Sequence, residues 1–456
     1  MSNIENALKY AQTNRSRFMD SLGRFLTIPS ISTDPDRRND IIAAADWVAD
    51  YLRNLGVDQV DLFPPDSHPI VYGEYLQAGP DAPTVLIYGH YDVQPAEPLS
   101  EWNSDPFRPV VHGENIYARG ASDMKGQVMA TLFAIEAIMK TTTFPVNLKF
   151  MIEGEEEIGS PHLAQFIEAY SSMLACEFCL NTDTGMIAPS LPTITYTLRG
   201  LAYYELQVTG PSQDLHSGLY GGVVHNPAQA LCELIAGMHD KSGRITLPGF
   251  YEDVLEVEDD EASELARLPM DESFYKERTG VSELWGEPDF APVQRIGARP
   301  TLEVNGIFSG FTGTGAKTVI PSIATAKLSC RLVANQDPKK IEGYMSAYLR
   351  EHAPATISWQ LRELTTSPPS LSNHRSTWVQ ALVIALETVW GVRPTFKREG
   401  GSVPVVADLQ RLLGVDSVNS GFGLPDDNLH GPNEKLHLPT FYKGIDALIY
   451  FFFNLG

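Results

Sequence analysis

Val85-Leu86-Ile87-Tyr88-Gly89-His90-Tyr91-Asp92 is a short apolar run that closes on a histidine and an acid. The same order returns along the chain. Phe150-Met151-Ile152-Glu153-Gly154-Glu155-Glu156-Glu157 and Phe178-Cys179-Leu180-Asn181-Thr182-Asp183 end on carboxylates. Gly120-Ala121-Ser122-Asp123-Met124-Lys125-Gly126 sets an acid in a glycine-flanked turn, and Asp427-Asn428-Leu429-His430-Gly431-Pro432-Asn433-Glu434 supplies a second histidine far downstream. Short apolar runs bounded by turn residues read as buried strands. In open α/β sheets, polar groups at the C-terminal ends of strands face the crevice where ligands bind. Two histidines with several carboxylates make a nitrogen-and-oxygen donor set, which suits a pair of divalent ions better than a structural zinc sealed by cysteines. Such a pair implies hydrolysis.

Helix-like and strand-like stretches alternate around these runs. Ile41 to Leu55 reads as a helix ending at Gly56, Lys125 to Met139 as a helix, Val146 to Ile152 as a strand and Pro161 to Tyr170 as a helix. This is the pattern of an α/β domain with a largely parallel sheet. Near Ile194 the texture changes. Thr195 to Arg199 and Ala202 to Val208 read as strands around Gly200, followed by a helix from Pro227 to His239 and an acidic, exposed, partly helical stretch from Glu252 to Asp289. A strand (Thr325 to Val333), a helix (Pro338 to Glu351) and a strand (Thr356 to Leu364) complete an α+β module. From Thr377 the α/β texture returns, with helices to Trp390 and from Val405 to Leu413, then Ser417 to Gly421. The expectation is one α/β domain in two pieces, residues 1–193 and 367–456, interrupted by an inserted α+β domain at 194–366.

At 456 residues the chain is long for a single core, and a hydrophobic content of 43% is ordinary for a folded protein. A net charge of -23 would repel phosphate over most of the surface, which excludes nucleic acid as a partner. Leu8, Ala11, Phe18, Leu22, Phe25 and Leu26 fit helical spacing, so the N-terminal segment reads as a folded amphipathic helix rather than a secretory signal. Ala447 to Leu455 is the most apolar stretch and is too short for a membrane span. Four cysteines in so long a chain are no disulfide scaffold, and Cys176-x-x-Cys179 lacks the second pair that a zinc knuckle needs. A reducing cytoplasm is expected.

Each candidate has a plain structural reading beside the chemical one. His90 and Asp92 lie on one side of an extended segment, where a carboxylate can orient a metal-binding imidazole. Alone, His90 would be a strand-end histidine in a turn; the downstream acids favour a ligand. Asp123 can present both oxygens to two ions, or cap the helix that follows. Glu155, Glu156 and Glu157 would ordinarily be a solvated face, but Gly154 lets the backbone turn sharply after a buried run, so at least one points into the crevice. Adjacent Glu155 and Glu156 can divide the work, one binding metal and the other taking a proton.

Taken together, these residues resemble metallopeptidase family M20, the group that includes carboxypeptidase G2, aminoacylase-1 and carnosinase. The resemblance covers essentially the whole chain and rests on Gly89-His90-Tyr91-Asp92-Val93, Gly120 to Gly126, Glu153-Gly154-Glu155-Glu156-Glu157-Ile158-Gly159-Ser160 and His430-Gly431-Pro432-Asn433-Glu434, in that order. It implies a zinc-peptidase-like α/β catalytic domain with a mostly parallel central sheet, interrupted by an inserted α+β lid and dimerisation domain. It also implies two divalent ions per subunit, zinc first, with manganese or cobalt as alternatives. His90, Asp123 and Asp183 would hold one ion and Asp123, Glu156 and His430 the other, with Asp123 bridging. A hydroxide between the ions would attack the substrate, with Glu155 as general base. In the family, an aspartate at the position of Asp183 goes with aminopeptidase or dipeptidase activity, and a glutamate with carboxypeptidases and deacylases.

Asp214-Leu215-His216-Ser217-Gly218 looks like the motif whose histidine crosses the dimer in carnosinase-like members, making His216 an oxyanion donor. Lys317-Thr318-Val319-Ile320-Pro321, Arg331 and Gly400-Gly401-Ser402 resemble substrate contacts. Arg331 can grip a carboxylate through two parallel hydrogen bonds, or serve in a structural salt bridge. Leu364-Thr365-Thr366-Ser367-Pro368-Pro369 lacks the histidine that follows this strand in carnosinase, so a site of the same specificity is not implied. The expected protein is a cytoplasmic, homodimeric metallo-dipeptidase acting on short peptides, with no nucleic-acid or membrane partner. An N-acyl amino acid deacylase and a catalytically silent metal-binding or scaffolding protein are the alternatives.

Overall fold

The computed structural model describes residues 2–63, 68–401 and 404–456. Strand Thr84–His90 lies inside a sheet whose strands in the first unit run in the order Gln59–Phe63, Ile70–Tyr75, Asn147–Glu153, Thr84–His90, Phe178–Asn181, Ser417–Asn419, Thr193–Leu198. The four strands from Asn147–Glu153 to Ser417–Asn419 are parallel, with His90 opposite Glu153 and Val85 opposite Phe178. Both flanks are antiparallel. The parallel strands are buried on both faces, which is why they read as unbroken apolar runs. The outer hairpin Gln59–Phe63 and Ile70–Tyr75 carries no such run and was not expected from sequence.

Helix Lys125–Met139 is buried from Lys125 through Ile138 and has no polar face. It is surrounded by the N-terminal helices and by the C-terminal helix Leu438–Leu455. Phe133 stacks on Phe18 at 4.0 Å and meets the edge of Phe441 at 6.3 Å. The expected single N-terminal helix is two, Asn3–Thr13 and Arg15–Leu26, broken at Asn14, but its stripe is core: Ala11, Phe18, Leu22, Phe25 and Leu26 are buried, and Leu8 packs at the margin. Helix Arg38–Leu55 buries Ile41, Ala44, Ala45, Val48, Ala49, Leu52 and Leu55, the recurrence of an amphipathic helix, and ends where Gly56 turns left-handed at φ 98°. The greasy segment Ala447 to Leu455 closes this core. Among the described residues no helix is long and apolar enough to cross a membrane. All four cysteines are free, and burial pushes the Cys176 thiol up to about 12, away from redox or metal work.

The chain divides into two units: Met1–Tyr196, Ser372–Lys397 and Val405–Gly456 form one, Thr197–Leu371 and Arg398–Pro404 the other. The crossings fall three and five residues later than the sequence reading placed them, at 196 rather than 193 and at 371 rather than 366. The second unit is a four-stranded antiparallel sheet ordered Thr301–Ser309, Ile323–Leu332, Gly200–Thr209, Ser358–Ser367. Its two central strands alternate buried and half-exposed residues. The buried set packs under helices Pro227–Gly237 and Pro338–His352, each opened by an Asn or Asp cap and a proline. The acidic stretch holds two short helices, Asp259–Leu265 and Glu272–Thr279, and Glu261 is buried against Arg398.

Because Phe133 joins helices from both ends of the chain, Phe133→Ala is expected to destabilise the first unit by about 3–5 kcal/mol. Chemical denaturation followed by tryptophan fluorescence measures it; a loss below about 1 kcal/mol would show that the ring is not a keystone of this core.

Candidate metal centre

His90 ends the central strand and is fully buried. Its Nδ1 is 3.3 Å from Asp92 Oδ1, and its Nε2 is 3.2 Å from Asp123 Oδ1 and 3.8 Å from Asp183 Oδ2. Asp92 is also buried and accepts the backbone N–H groups of Glu156 and Glu157 at 3.3 and 3.1 Å. One carboxylate thus holds both the imidazole and the acidic turn. Asp123, in the turn before helix Lys125–Met139, presents its other oxygen to His430 Nε2 at 3.0 Å. Each oxygen of Asp123 faces a different histidine.

Two groups of donor atoms result, each lying within 4.8 Å: His90, Asp123 and Asp183, and Asp123, Glu157 and His430. The carboxylate that joins Asp123 and His430 belongs to Glu157, 3.3 Å from His430 Nε2, and not to Glu156 as expected from sequence. Glu155, the expected base, is committed elsewhere. Its Oε2 pairs with His162 Nδ1 at 2.8 Å and its Oε1 accepts the N–H of His68 at 3.4 Å. The cause is local. Gly154 lies against the Tyr91 ring, where a Cβ would meet the phenol oxygen at 2.3 Å, and a 3₁₀ turn then runs from Glu156 to Ile158. Glu155 caps this turn while Glu156 and Glu157 lie within it, about a third of a turn apart, so the three side chains leave in different directions and which acid reaches His430 depends on where the turn begins. The sequence carries no mark of that start.

Burial and crowding set the charges. Asp183 is raised to about 6 by burial and then by Asp123; Glu157 is raised to about 7 by the same two causes. Glu156 lies among Asp183, Glu157 and Asp123, and burial with these neighbours lifts it well above the carboxylate range despite His90. Burial would raise Asp123 too, but hydrogen bonds from His430 and His90 outweigh it and hold the group low. Carboxylates that retain protons near neutrality lack positive charge, and two divalent cations would supply it while displacing those protons. Oxygen and imidazole donors, a bridging acid and an oriented histidine therefore fit a metal pair.

Other candidates lie in the second unit. His216 pairs with Val319 in a two-residue ribbon, and the N–H of Ser217 bonds the Thr318 carbonyl at 3.1 Å, so His216 and Thr318 are neighbours. His216 is exposed, and its Nδ1 accepts the N–H of Gly218 at 3.0 Å, leaving the ring proton of the neutral form on Nε2. Arg331 lines a cavity of about 400 Å³ with Arg199, Arg295, Arg299, His239 and Trp285. Burial and then the charge of Arg331 lower Arg199 to about 10. Ser402 lies outside the described residues.

Residues 86–454 match peptidase family M20/M25/M40. The Cys-Gly metallodipeptidase dug1 of Schizosaccharomyces pombe is 33% identical over 97% of this chain and 96% of its own. Among solved structures, the metallo-carboxypeptidase Sso-CP2 from Sulfolobus solfataricus aligns with a TM-score of 0.84 and 34% identity over 95% of this chain and 98% of its own. The di-peptidase Dug1p from Saccharomyces cerevisiae aligns with a TM-score of 0.80 and 26% identity over 100% and 99%. With the acids and histidines of this centre gathered into two ligand groups that share Asp123, the chain belongs to peptidase family M20/M25/M40 and is a hydrolase built around a dinuclear metal site.

Proposed function

We propose that the protein is a cytoplasmic, homodimeric dipeptidase, and that zinc, rather than manganese or cobalt, fills its two metal positions. The observation that carries the reading is Asp123, whose two oxygens each meet a different histidine. An aspartate at 183 favours a dipeptidase over a carboxypeptidase or deacylase, and the name of the Schizosaccharomyces pombe relative points the same way. Four free cysteines suit a reducing compartment. A dimer through the second unit is supported by its edge strand Thr301–Ser309, which exposes Val304, Ile307 and Phe308, the last at 58%.

His90, Asp123 and Asp183 would hold one ion, and Asp123, Glu157 and His430 the other. Two such ions would supply Lewis acidity, polarising a carbonyl and lowering the pKa of water toward neutrality. The chain does the rest. Glu156, in neither ligand group yet lying among Asp183, Glu157 and Asp123, takes the proton of the attacking water and returns it to the leaving amine. Asp92 keeps His90 in one tautomer and fixes the turn that presents Glu156 and Glu157. His216 of the partner subunit donates Nε2–H to the developing oxyanion. Arg331 grips the substrate carboxylate, Thr318 and Ser402 are proposed as further substrate contacts, and a clamp on the free terminus limits substrates to two or three residues. A panel of dipeptides against acetylated amino acids tests the reading. Turnover of the acetylated set alone would replace it with a deacylase, and no turnover of either with both ions bound would leave a metal-binding protein.

Glu156→Gln should keep both ions and lower kcat by about 10²–10⁴-fold, whereas Glu155→Gln should stay within a few-fold of the parent. The reverse pattern would return the base role to Glu155.

Asp123→Ala should bind neither ion tightly, while His90→Ala or His430→Ala should each weaken mainly one. Mass spectrometry of the metal content decides it, and two tightly held ions in Asp123→Ala protein would rule out a bridge.

His216→Ala should keep its metals and lose about 10²–10³-fold in kcat. Mixed with Glu156→Gln protein, it should regain activity once subunits exchange, because both lesions then fall on one site and leave the other complete. Verified exchange without recovery would confine His216 to its own chain.

A further inference from the structure

Glu434 ends the segment that begins at His430, and it is fully buried. Its Oε1 accepts the N–H groups of Ser122 and Asp123 at 2.9 and 3.0 Å, and its Oε2 accepts the N–H of Gly120 at 2.9 Å and Arg119 Nη1 at 2.7 Å. Four donors from residues 119–123 thus converge on one carboxylate supplied 311 residues after Asp123. The turn bearing Asp123 is folded around an acid from the loop bearing His430.

That loop needs an anchor. The His430 side chain is 55% exposed, so packing does little to place it. Its backbone is left-handed at φ 61°, uncommon outside glycine, and it is flanked by Asn428 at 56° and Asn433 at 60°, a residue type that tolerates that region. Both ends of the segment are pinned to the Asp123 turn. Asp427 takes Ser122 Oγ at 2.8 Å and the N–H of Leu424 at 2.7 Å, Lys435 Nζ reaches Asp427 at 2.8 Å, and the Glu434 carbonyl accepts the N–H of Ala118 at 3.1 Å. Arg119 is held in turn by the Pro95 carbonyl at 3.0 Å and lies under the Trp102 ring.

We propose that Glu434 is a positioning residue for the metal pair: it fixes the distance between Asp123 and His430, so that the group of Asp123, Glu157 and His430 is assembled before an ion arrives. The proposal rests on Asp123 and His430 being ligands. Glutamine has the size of Glu434 but cannot replace it. Whichever way its amide turns, an NH₂ faces two N–H donors in place of an acceptor, and no orientation satisfies the turn.

The test is titration of metal-free full-length protein with Co²⁺, read by visible absorption, which reports the coordination of each equivalent. The parent should take two equivalents. Glu434→Gln should bind the second about 10–100-fold more weakly with an altered absorption band, while the first, which has His90 and Asp183 on the sheet, changes less. Its kcat should fall with little change in KM. Glu136→Gln is the structural control: this buried acid of the same unit accepts from Tyr10, Tyr51 and Arg17, so the variant should lose thermal stability and keep both Co²⁺ affinities. If Glu434→Gln does not fold, Arg119→Lys removes one donor from the same carboxylate and should weaken the second equivalent several-fold. Unchanged affinity and absorption in whichever variant folds would overturn the positioning role. If instead the parent binds fewer than two ions, or Asp123→Ala keeps both, the underlying ligand assignment has failed.

Discussion

Like charges forced together out of water must be compensated, and this protein gathers Asp123, Asp183, Glu156 and Glu157 within reach of two histidines. A lone buried carboxylate would take up a proton and become inert; a group of them around shared donors becomes a receptor for cations. The sheet brings His90 to the end of one parallel strand and Asp183 just past the end of its neighbour, the turns after Gly120 and Gly154 add Asp123 and the glutamates, and the loop bearing His430 completes the set. Asp92 shows how economically the geometry is fixed, since one buried carboxylate orients His90 and accepts the backbone of the acidic turn. Removing it would disturb two ligands at once.

Much of this centre was legible in the sequence because parallel strands covered on both sides must be apolar throughout. Where such a run breaks into His90 or Asp183, the polar residue stands at a strand end, and strand ends of one sheet share an edge. Helices Lys125–Met139 and Thr377–Trp390 were equally plain from their apolar content and flanking signals. Glu157 was hidden for the opposite reason. Three identical side chains, one capping a 3₁₀ turn and two within it, differ only in direction, and direction depends on the contact of Gly154 with Tyr91, which lies outside any local pattern.

Long-range terms account for the other differences. The strands Gln59–Phe63 and Ile70–Tyr75 mix polar and apolar residues, and the edge strand Thr301–Ser309, also absent from the sequence reading, exposes several apolar residues and shows no alternation. The Arg119, Glu434 and Asp427 network joins residues about three hundred positions apart, so neither end announces its partner.

Strand Ser417–Asn419 sits between Phe178–Asn181 and Thr193–Leu198. A ribosome delivers the outer two long before the one that separates them. Until residues 417–419 emerge, the sheet therefore carries an open slot with unpaired backbone on both sides. His430 and Glu434 follow 11 and 15 residues behind that strand. The nascent protein thus holds His90, Asp123 and Asp183 without the second group for the 247 residues of synthesis that separate Asp183 from His430.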